Sequence, residues 1–511
     1  MSTSGEALAC GADARRRPPA SDAAQARAAR RPAALARIAG RDWLALASLL
    51  ALAAAIRIPD LGAGGIWLDE GYSLLQSERS LGAILALRTY DANPPLYLLV
   101  LHVWRSAFGP GPLAAKSLSL VAGLLGVALV WLAARARFGS RAALCAGLIV
   151  ALSRFHIHYS QEIRGYALLF ALVAAADLCF VRWQAGGRRR DLCGWIVFGF
   201  AAVLTHTFAW WVLLVQGALA TRRRTALAAL DGVLVASSPT LLALAQHVTT
   251  FKTQSWIPRP DLDALLHTLW VLGGCGPIAF LVWGLALLGL GVRFVPRTTT
   301  AEDADGTLPG WRTAAVPALQ LALPFVVFAL SLIVTPMLVE RYLLISLLPL
   351  ACLAGAGLVA LRSPVAGALV IATLFVGSIQ PIRDQYAQEQ RSASSREMAD
   401  LVRDGYRAGD VVLYTSKWVF VPFVAQHPPG MAEYLLPEIT GDEYSTILLG
   451  YTSRPVRRTP PERGEYARLW LVRRPDDRPE DIAASDWFRK LGPRLVWQHP
   501  SGQLLRFDLD R

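Results

Sequence analysis

Charge is scarce in this chain, and cysteine is scarcer. Only 17% of its 511 residues are Asp, Glu, Lys or Arg, where soluble globular chains carry roughly a quarter. That shortage, set beside 54% hydrophobic residues, argues against a soluble protein and for one solvated largely by lipid. Of six cysteines, Cys10 lies near the start, while Cys145, Cys179, Cys193, Cys275 and Cys352 lie in or beside apolar runs. None has metal-ligand spacing and none follows Cys352, so neither a disulfide nor a zinc site is expected. Met1–Arg41 has no compact apolar stretch followed by a small-residue cleavage site, which argues against a cleaved signal peptide. With eight Arg against three acidic residues, residues 1–41 are expected to form a disordered basic cytoplasmic tail. The net charge of +13 does not point to nucleic acid, because the Arg residues flank apolar runs instead of forming a stripe.

The hydrophobicity is segmented. Apolar runs at about 42–58, 113–134, 142–157, 165–183, 192–204, 207–220, 225–247, 277–295, 314–335, 342–360 and 364–381 predict a polytopic all-α transmembrane bundle of about eleven spans. The loops sort by charge. One set holds Arg135, Arg137, Arg141, Arg182, Arg188, Arg189, Arg190, Arg222, Arg223, Arg224, Arg293, Arg297, Arg312 and Arg362 within about forty residues. The other set spans about a hundred residues and holds only eight Lys or Arg. Positive-inside orientation then puts the N-terminus in the cytoplasm and the C-terminus outside, in a bacterial-type inner membrane. Counting Pro95–Phe108 as a crossing would invert every later loop, so that run, with His102 and Arg105, is expected to be an interfacial or re-entrant helix. Gly194–Ala220 has basic clusters at both ends and is expected to be a hairpin turning at Thr205-His206-Thr207.

From about residue 382 the composition becomes that of a soluble domain. A helical stretch at Glu389–Tyr406, strands at Asp410–Tyr414 and Arg468–Val472, a helix near Glu480–Lys490 and a hairpin over Arg494–Asp508 predict a small α/β domain, 382–511, on the outer face.

Polar groups embedded in apolar sequence are costly and mark function. Asp177 and Asp231 are the acidic residues inside the expected spans and are read as facing neighbouring helices. The unusual groups gather instead in the expected outer loops, 59–112 and 155–164. Trp67-Leu68-Asp69-Glu70-Gly71-Tyr72 reads either as a solvated loop or as the site of a general base acting on an acceptor hydroxyl. Asp91-Ala92-Asn93-Pro94-Pro95 has a plain structural reading, proline in the first turn of a helix with Asn as its cap. His156-Ile157-His158-Tyr159-Ser160-Gln161-Glu162-Ile163-Arg164-Gly165-Tyr166 is too polar for ordinary surface between spans. Its two histidines lack a third metal ligand. Arg164, and Arg341 in Glu340-Arg341-Tyr342, offer the guanidinium fork that suits a phosphate ester.

Taken in order, Trp67–Tyr72, Asn93–Tyr97, Tyr159–Tyr166, Thr205–Phe208, Ser255–Pro260 and Glu340–Leu344 resemble the integral-membrane glycosyltransferases of the C superfamily. The branch they resemble holds bacterial relatives of protein O-mannosyltransferases and lipid A aminoarabinose transferases, including rhizobial lipopolysaccharide glycosyltransferases. The resemblance covers about residues 43–381. Asn93 stands where many relatives carry His. The family implies a hexosyl- or pentosyltransferase that takes its sugar from a polyprenyl-monophosphate carrier, without a metal or other cofactor, in one inverting displacement. The acceptor would be a hydroxyl of a glycolipid, polysaccharide or protein. On that resemblance Asp69 would be the catalytic base, with Glu70 supporting it or positioning the acceptor. Arg164, Tyr166, Arg341 and Tyr342 would bind the donor phosphate, and Asp91, Asn93, Gln161, Glu162 and His206 would shape the sugar and acceptor pocket. Two other readings fit a many-span chain: a lipid-linked-sugar flippase or other transporter, which needs a polar path across the membrane, and a receptor, which needs a cytoplasmic output domain.

Overall fold

The computed structural model describes residues 38–59, 61–62, 64–86, 93–250, 257–294, 310–391, 394–426, 430–435, 465–473, 494–499 and 502–508. Most of the basic tail, Asp91, Ser255 and Trp256, the expected helix at Glu480–Lys490 and the turn residues Pro500 and Ser501 lie outside the described residues.

The first helices are α1 (Gly40–Arg57), α2 (Leu68–Ser77), α3 (Leu81–Ala86), α4 (Leu96–Phe108) and α5 (Pro112–Phe138). Then come α6 (Ser140–Leu152), α7 (Arg154–Tyr159), α8 (Tyr166–Gly186), α9 (Arg189–Val203), α10 (Ala209–Leu219) and α11 (Arg223–Thr250). The bundle is completed by α12 (Leu262–Gly273), α13 (Gly276–Phe294), α14 (Gly310–Leu321), α15 (Leu323–Ile333), a 3-10 turn at Glu340–Ser346, α16 (Leu347–Ala360) and α17 (Pro364–Arg391). Every expected span therefore holds a helix, but not every one is long. Among the described residues six helices have the length and apolarity to cross a membrane, or seven if α12 and α13 count as one span bent by 85°. The sequence count of eleven is higher because it includes α1, α6, α9 and α10, of 18, 13, 15 and 11 residues. At about 1.5 Å per residue these fall short of the roughly 30 Å hydrocarbon core. Helix α12 lies outside the spans expected from hydrophobicity. Asp261 caps it, accepting from the Ala264 amide at 2.8 Å, and the chain breaks after it at Gly274 and Cys275, both at positive φ.

The bundle has two chemically distinct ends. At one, Arg135 Nε donates to Asp42 Oδ2 at 3.0 Å, Arg182 meets Asp191 and Arg222 donates to the Trp183 carbonyl. At the other, α1 ends in Arg57, fully buried and donating to Ser160 and to the α6 carbonyls of Val150 and Ala151. The described Arg-rich loops and the motif-bearing loops are thus separated by the length of the helices, as the charge sorting requires. Helix α4 begins at the motif end, where the Leu96 amide donates to the Leu204 carbonyl. It finishes there too, with Arg105 donating to Leu74 O, Ser77 Oγ and Pro110 O. Both termini lie at one end, so α4 does not cross. The α9–α10 hairpin also holds: Trp195 Nε1 donates to Gln216 Oε1 at 2.6 Å, and Gly199 lies against Leu213.

Asp177 is sealed in the bundle by two Arg137 nitrogens, one at 2.8 Å, and by Gln216 Nε2 at 3.0 Å. A buried carboxylate with this many donors is a packing device, not a step in a polar path. Asp231, expected to face a neighbouring helix, is exposed on α11.

The C-terminal domain starts from α17, which continues unbroken past residue 382 to Arg391. It adds α18 (Ser394–Gly405), β1 (Asp410–Tyr414), α19 (Lys417–Val424), β2 (Ala432–Leu435), β3 (Arg468–Arg473), β4 (Arg494–His499) and β5 (Gly502–Asp508). The sheet order is β2-β1-β3-β5-β4, with β1 parallel to both neighbours and β4–β5 an antiparallel hairpin. Continuous burial of β1 fits a strand covered on both faces. Asp410, buried at its start, accepts from Arg468 Nε and Nη2 at 2.8 and 2.7 Å and from Trp470 Nε1 at 3.0 Å.

Candidate functional site

The stretch at Trp67, for which a solvated loop is one reading and a general-base site the other, is an ordered helix from Leu68, and that helix sorts its residues by face. Consecutive helical residues point about 100° apart, so Asp69 and Glu70 lie on different faces. Glu70 is turned inward. Its Oε1 accepts from the Ile163 amide at 2.9 Å and its Oε2 from the Trp67 amide at 3.3 Å. The resemblance implies that Glu70 supports Asp69 or positions the acceptor; its oxygens are engaged by the Ile163 amide, which ties α2 to the 161–165 loop, and by the Trp67 amide at the start of α2.

Asp69 stays partly open and meets the two arginines picked from sequence. Arg341 Nη2 lies 3.5 Å from Asp69 Oδ2. Arg164 Nη1 lies 3.4 Å from the Asp69 carbonyl and 3.3 Å from Ser73 Oγ. Aromatic rings surround the guanidiniums: Arg341 Cζ lies 5.7 Å from the ring centres of both Trp67 and Tyr342, and Arg164 Cζ lies 5.9 Å from that of Tyr166. The faces of these rings favour a cation. Two arginines 177 residues apart in sequence thus converge on one carboxylate-bearing turn.

Beside this turn lies a cavity walled by Ser73, Gln76, Asn93, Tyr97, Arg164, Tyr166, Thr205 and His206. Asn93, expected to cap α4, lines it instead, while Pro95 takes the N-cap position. Tyr342 closes the aromatic side, its ring centre 4.8 Å from that of His206 and 6.2 Å from that of Tyr166. Burial, reinforced by Arg164 and Arg341, pushes the His206 imidazole down to about 4. Its Nδ1 accepts from the Phe208 amide at 3.2 Å, so the neutral ring carries its proton on Nε2 and offers one donor. Sequence reasoning had not assigned Ser73 and Gln76 to the site. They stand four and seven residues after Asp69, the spacing of one helical face, which could have found them once α2 was known to be a helix.

The second loop splits. Glu162 faces α2, with Oε1 accepting from Trp67 Nε1 at 2.8 Å. Burial pushes its carboxyl up, with Asp69 adding to the rise against His158, Arg164 and Arg341. Gln161, expected in the sugar pocket, faces away: its Nε2 donates to the Arg57 carbonyl at 2.8 Å and to Tyr386 Oη at 3.3 Å. His158 joins the same side through Gln385 Nε2 at 2.7 Å, and His156 Nδ1 meets Arg57. This second cluster staples α1 and α17 to the loop. Asp91 lies outside the described residues. Among the described residues no group of three His, Cys, Asp or Glu is placed to hold a metal ion.

Burial pushes the Glu70 carboxyl up to about 7, with Glu162 adding to the rise and Lys116 opposing it. The folded chain then holds a proton that the unfolded chain, titrating near 4.5, releases first. Its contribution is complete below about pH 4.5 and is lost as pH rises through about 7. Glu70→Gln is therefore expected to flatten the pH dependence of thermal unfolding between pH 5 and 8, with the wild type losing a few degrees more across that window. Equal slopes for the two proteins in nanodiscs would refute the assignment.

These observations define a polytopic membrane bundle, capped at one end by an α/β domain and carrying a cationic, aromatic-walled site at that same end. Neither a protein-family model nor a curated protein sequence matches the chain. Its fold is that of ArnT. The apo crystal structure of ArnT from Cupriavidus metallidurans aligns with a TM-score of 0.57 over 91% of this chain and 97% of that one, at 16% identity. The structure of the same protein bound to undecaprenyl phosphate aligns at 0.56 over 92% and 98%, at 14% identity. The chain is accordingly a multi-pass membrane protein with the ArnT architecture.

Proposed function

We propose that this protein is an inverting glycosyltransferase that moves a sugar from a polyprenyl monophosphate to an acceptor hydroxyl on the outer face of the inner membrane. The observation that carries the reading is the meeting of Arg164 and Arg341 at Asp69. It is supported by the shared fold with a protein whose structure holds undecaprenyl phosphate. In the reaction the acceptor oxygen bonds to the anomeric carbon as the carbon–oxygen bond to phosphate breaks. Asp69 takes the hydroxyl proton, and the electron pair leaves with the polyprenyl phosphate. Arg164 and Arg341 meet the charge that the leaving phosphate develops, a role suited to fixed donors in a site shielded from water. Glu70 and Glu162 position α2 and Trp67 around this centre. Ser73, Gln76, Asn93, Thr205 and His206 Nε2 offer neutral hydrogen-bonding groups for sugar hydroxyls.

The test offers purified protein a synthetic polyprenyl-phosphate sugar and, in parallel, a nucleotide sugar. Transfer is expected from the lipid donor alone, and efficient use of the nucleotide sugar would overturn the donor class. Mass spectrometry of surface glycans and glycolipids, with and without the protein, identifies the acceptor.

A further inference from the structure

We propose that the C-terminal domain is a working part of the transfer site, because it fixes α2 and, through α2, the carboxylate of Asp69. The inference rests on the reading of Asp69 as the base.

Helix α2 has three faces, and each meets a different body. Asp69, Ser73 and Gln76 turn towards the arginines and the cavity. Glu70, Leu74 and Ser77 turn into the membrane-side loops, through the Ile163 amide, a cluster with Tyr97 and Ile163, and Arg105. Leu68, Tyr72 and Leu75, at helical spacing, are buried in one hydrophobic cluster with Val402, Tyr414, Phe420, Trp470 and Leu504 of the C-terminal domain. The third face is therefore a piece of that domain's core, although more than three hundred residues separate the two in sequence.

At Gly71, α2 meets the domain with no side chain of its own. A Cβ there would lie 2.8 Å from Val421 Cγ1 and 2.9 Å from the Val421 carbonyl oxygen. Helix α19 thus rests on the bare backbone of α2, two residues from Asp69, and no side chain fits between them. The lead-in to α2 is held by the same domain: Ser395 Oγ donates to the Ile66 carbonyl at 2.9 Å and receives Gln426 Nε2 at 3.1 Å, and Arg396 donates to the Gly62 carbonyl. Arg164 and Arg341, in contrast, belong to the bundle. The domain is thereby assigned the placing of the base relative to phosphate ligands that the bundle supplies, with Gly71 and Val421 as positioning residues. A displacement of about 1 Å between reacting groups can cost on the order of 10²-fold in rate.

Full-length protein in nanodiscs decides it. Gly71→Ala is expected to lower kcat about 10- to 100-fold, while KM for the lipid donor and the stoichiometry of undecaprenyl phosphate binding stay near wild type. Val421→Ala in the same chain should restore part of kcat, since it removes one of the two close atoms, and Arg403→Ala on the exposed side of α18 should leave all parameters unchanged. Ser395→Ala, a milder lesion that adds no atom, should lower kcat several-fold in the same direction. Amide hydrogen exchange across residues 68–77 should rise in Gly71→Ala. Wild-type kcat in both Gly71→Ala and Ser395→Ala, or equal losses of kcat and donor binding, would overturn the proposal. If the wild type transfers nothing from any lipid-phosphate sugar, the proposed function fails. The exchange measurement then judges the clamp alone, and unchanged protection of 68–77 overturns it.

Discussion

Asp69→Asn is expected to lower sugar transfer by about 10²–10⁴-fold, the usual loss on removing a general base, while expression and membrane insertion stay intact. The amide has nearly the shape of the carboxylate and can still meet Arg341, so the site should stay assembled. What disappears is the capacity to accept the acceptor's proton as the new bond forms. Glu70 cannot substitute, because its two oxygens are engaged by the amides of Ile163 and Trp67 on a different face of α2. Near-normal turnover in the purified variant would therefore remove the whole site from consideration and not merely one residue.

Arg341→Ala is expected to weaken donor use by about one to two orders of magnitude, since a hydrogen bond to a charged partner is worth roughly 1.5–3 kcal/mol. Arg341→Lys should recover only part, because an ammonium is a single point of charge and cannot make a two-pronged contact with phosphate or lie flat between Trp67 and Tyr342. The measurement is transfer across donor concentrations, with kcat/KM compared among wild type, Arg341→Ala and Arg341→Lys. Because Arg341 also touches Asp69, the alanine variant should lose kcat as well as donor affinity. Indifference to Arg341→Ala would dismiss the lipid-phosphate site.

Much of this was legible in the sequence, for reasons that also explain what was not. Span positions follow from hydrophobicity, and the Arg asymmetry was enough to tell that Leu96–Phe108 stays at one end and that Gly194–Ala220 folds back on itself. Strands Asp410–Tyr414 and Arg468–Arg473 and the hairpin Arg494–His499 with Gly502–Asp508 announced themselves by short apolar runs and turn residues. Face and depth were not legible. An apolar run does not state how much of it is helix, so composition alone gives α1, α6, α9 and α10 as spans. Adjacent carboxylates in a string carry no orientation, and only the helical start at Leu68 separates the half-buried Asp69 from the buried Glu70. Gln161 and Glu162 diverge for the same reason, one towards Arg57 and Tyr386, the other towards Trp67. Helix α19 and strand β2 are short, and their place is set by tertiary packing on α2 and β1, which no local pattern encodes.

The sharing of α2 between two bodies has a consequence for how the protein is made. A chain emerging at about 5–20 residues per second delivers Leu68, Tyr72 and Leu75 well before it delivers Phe420 and Trp470. The intervening stretch of roughly 340 residues takes on the order of 20–70 s at that pace. Throughout that interval α2 has no third wall, and its apolar face waits without the residues that bury it. The candidate site is completed last, when the final domain closes over a helix made near the beginning, so a ribosome that stalls late in the message leaves a bundle whose candidate site lacks one wall.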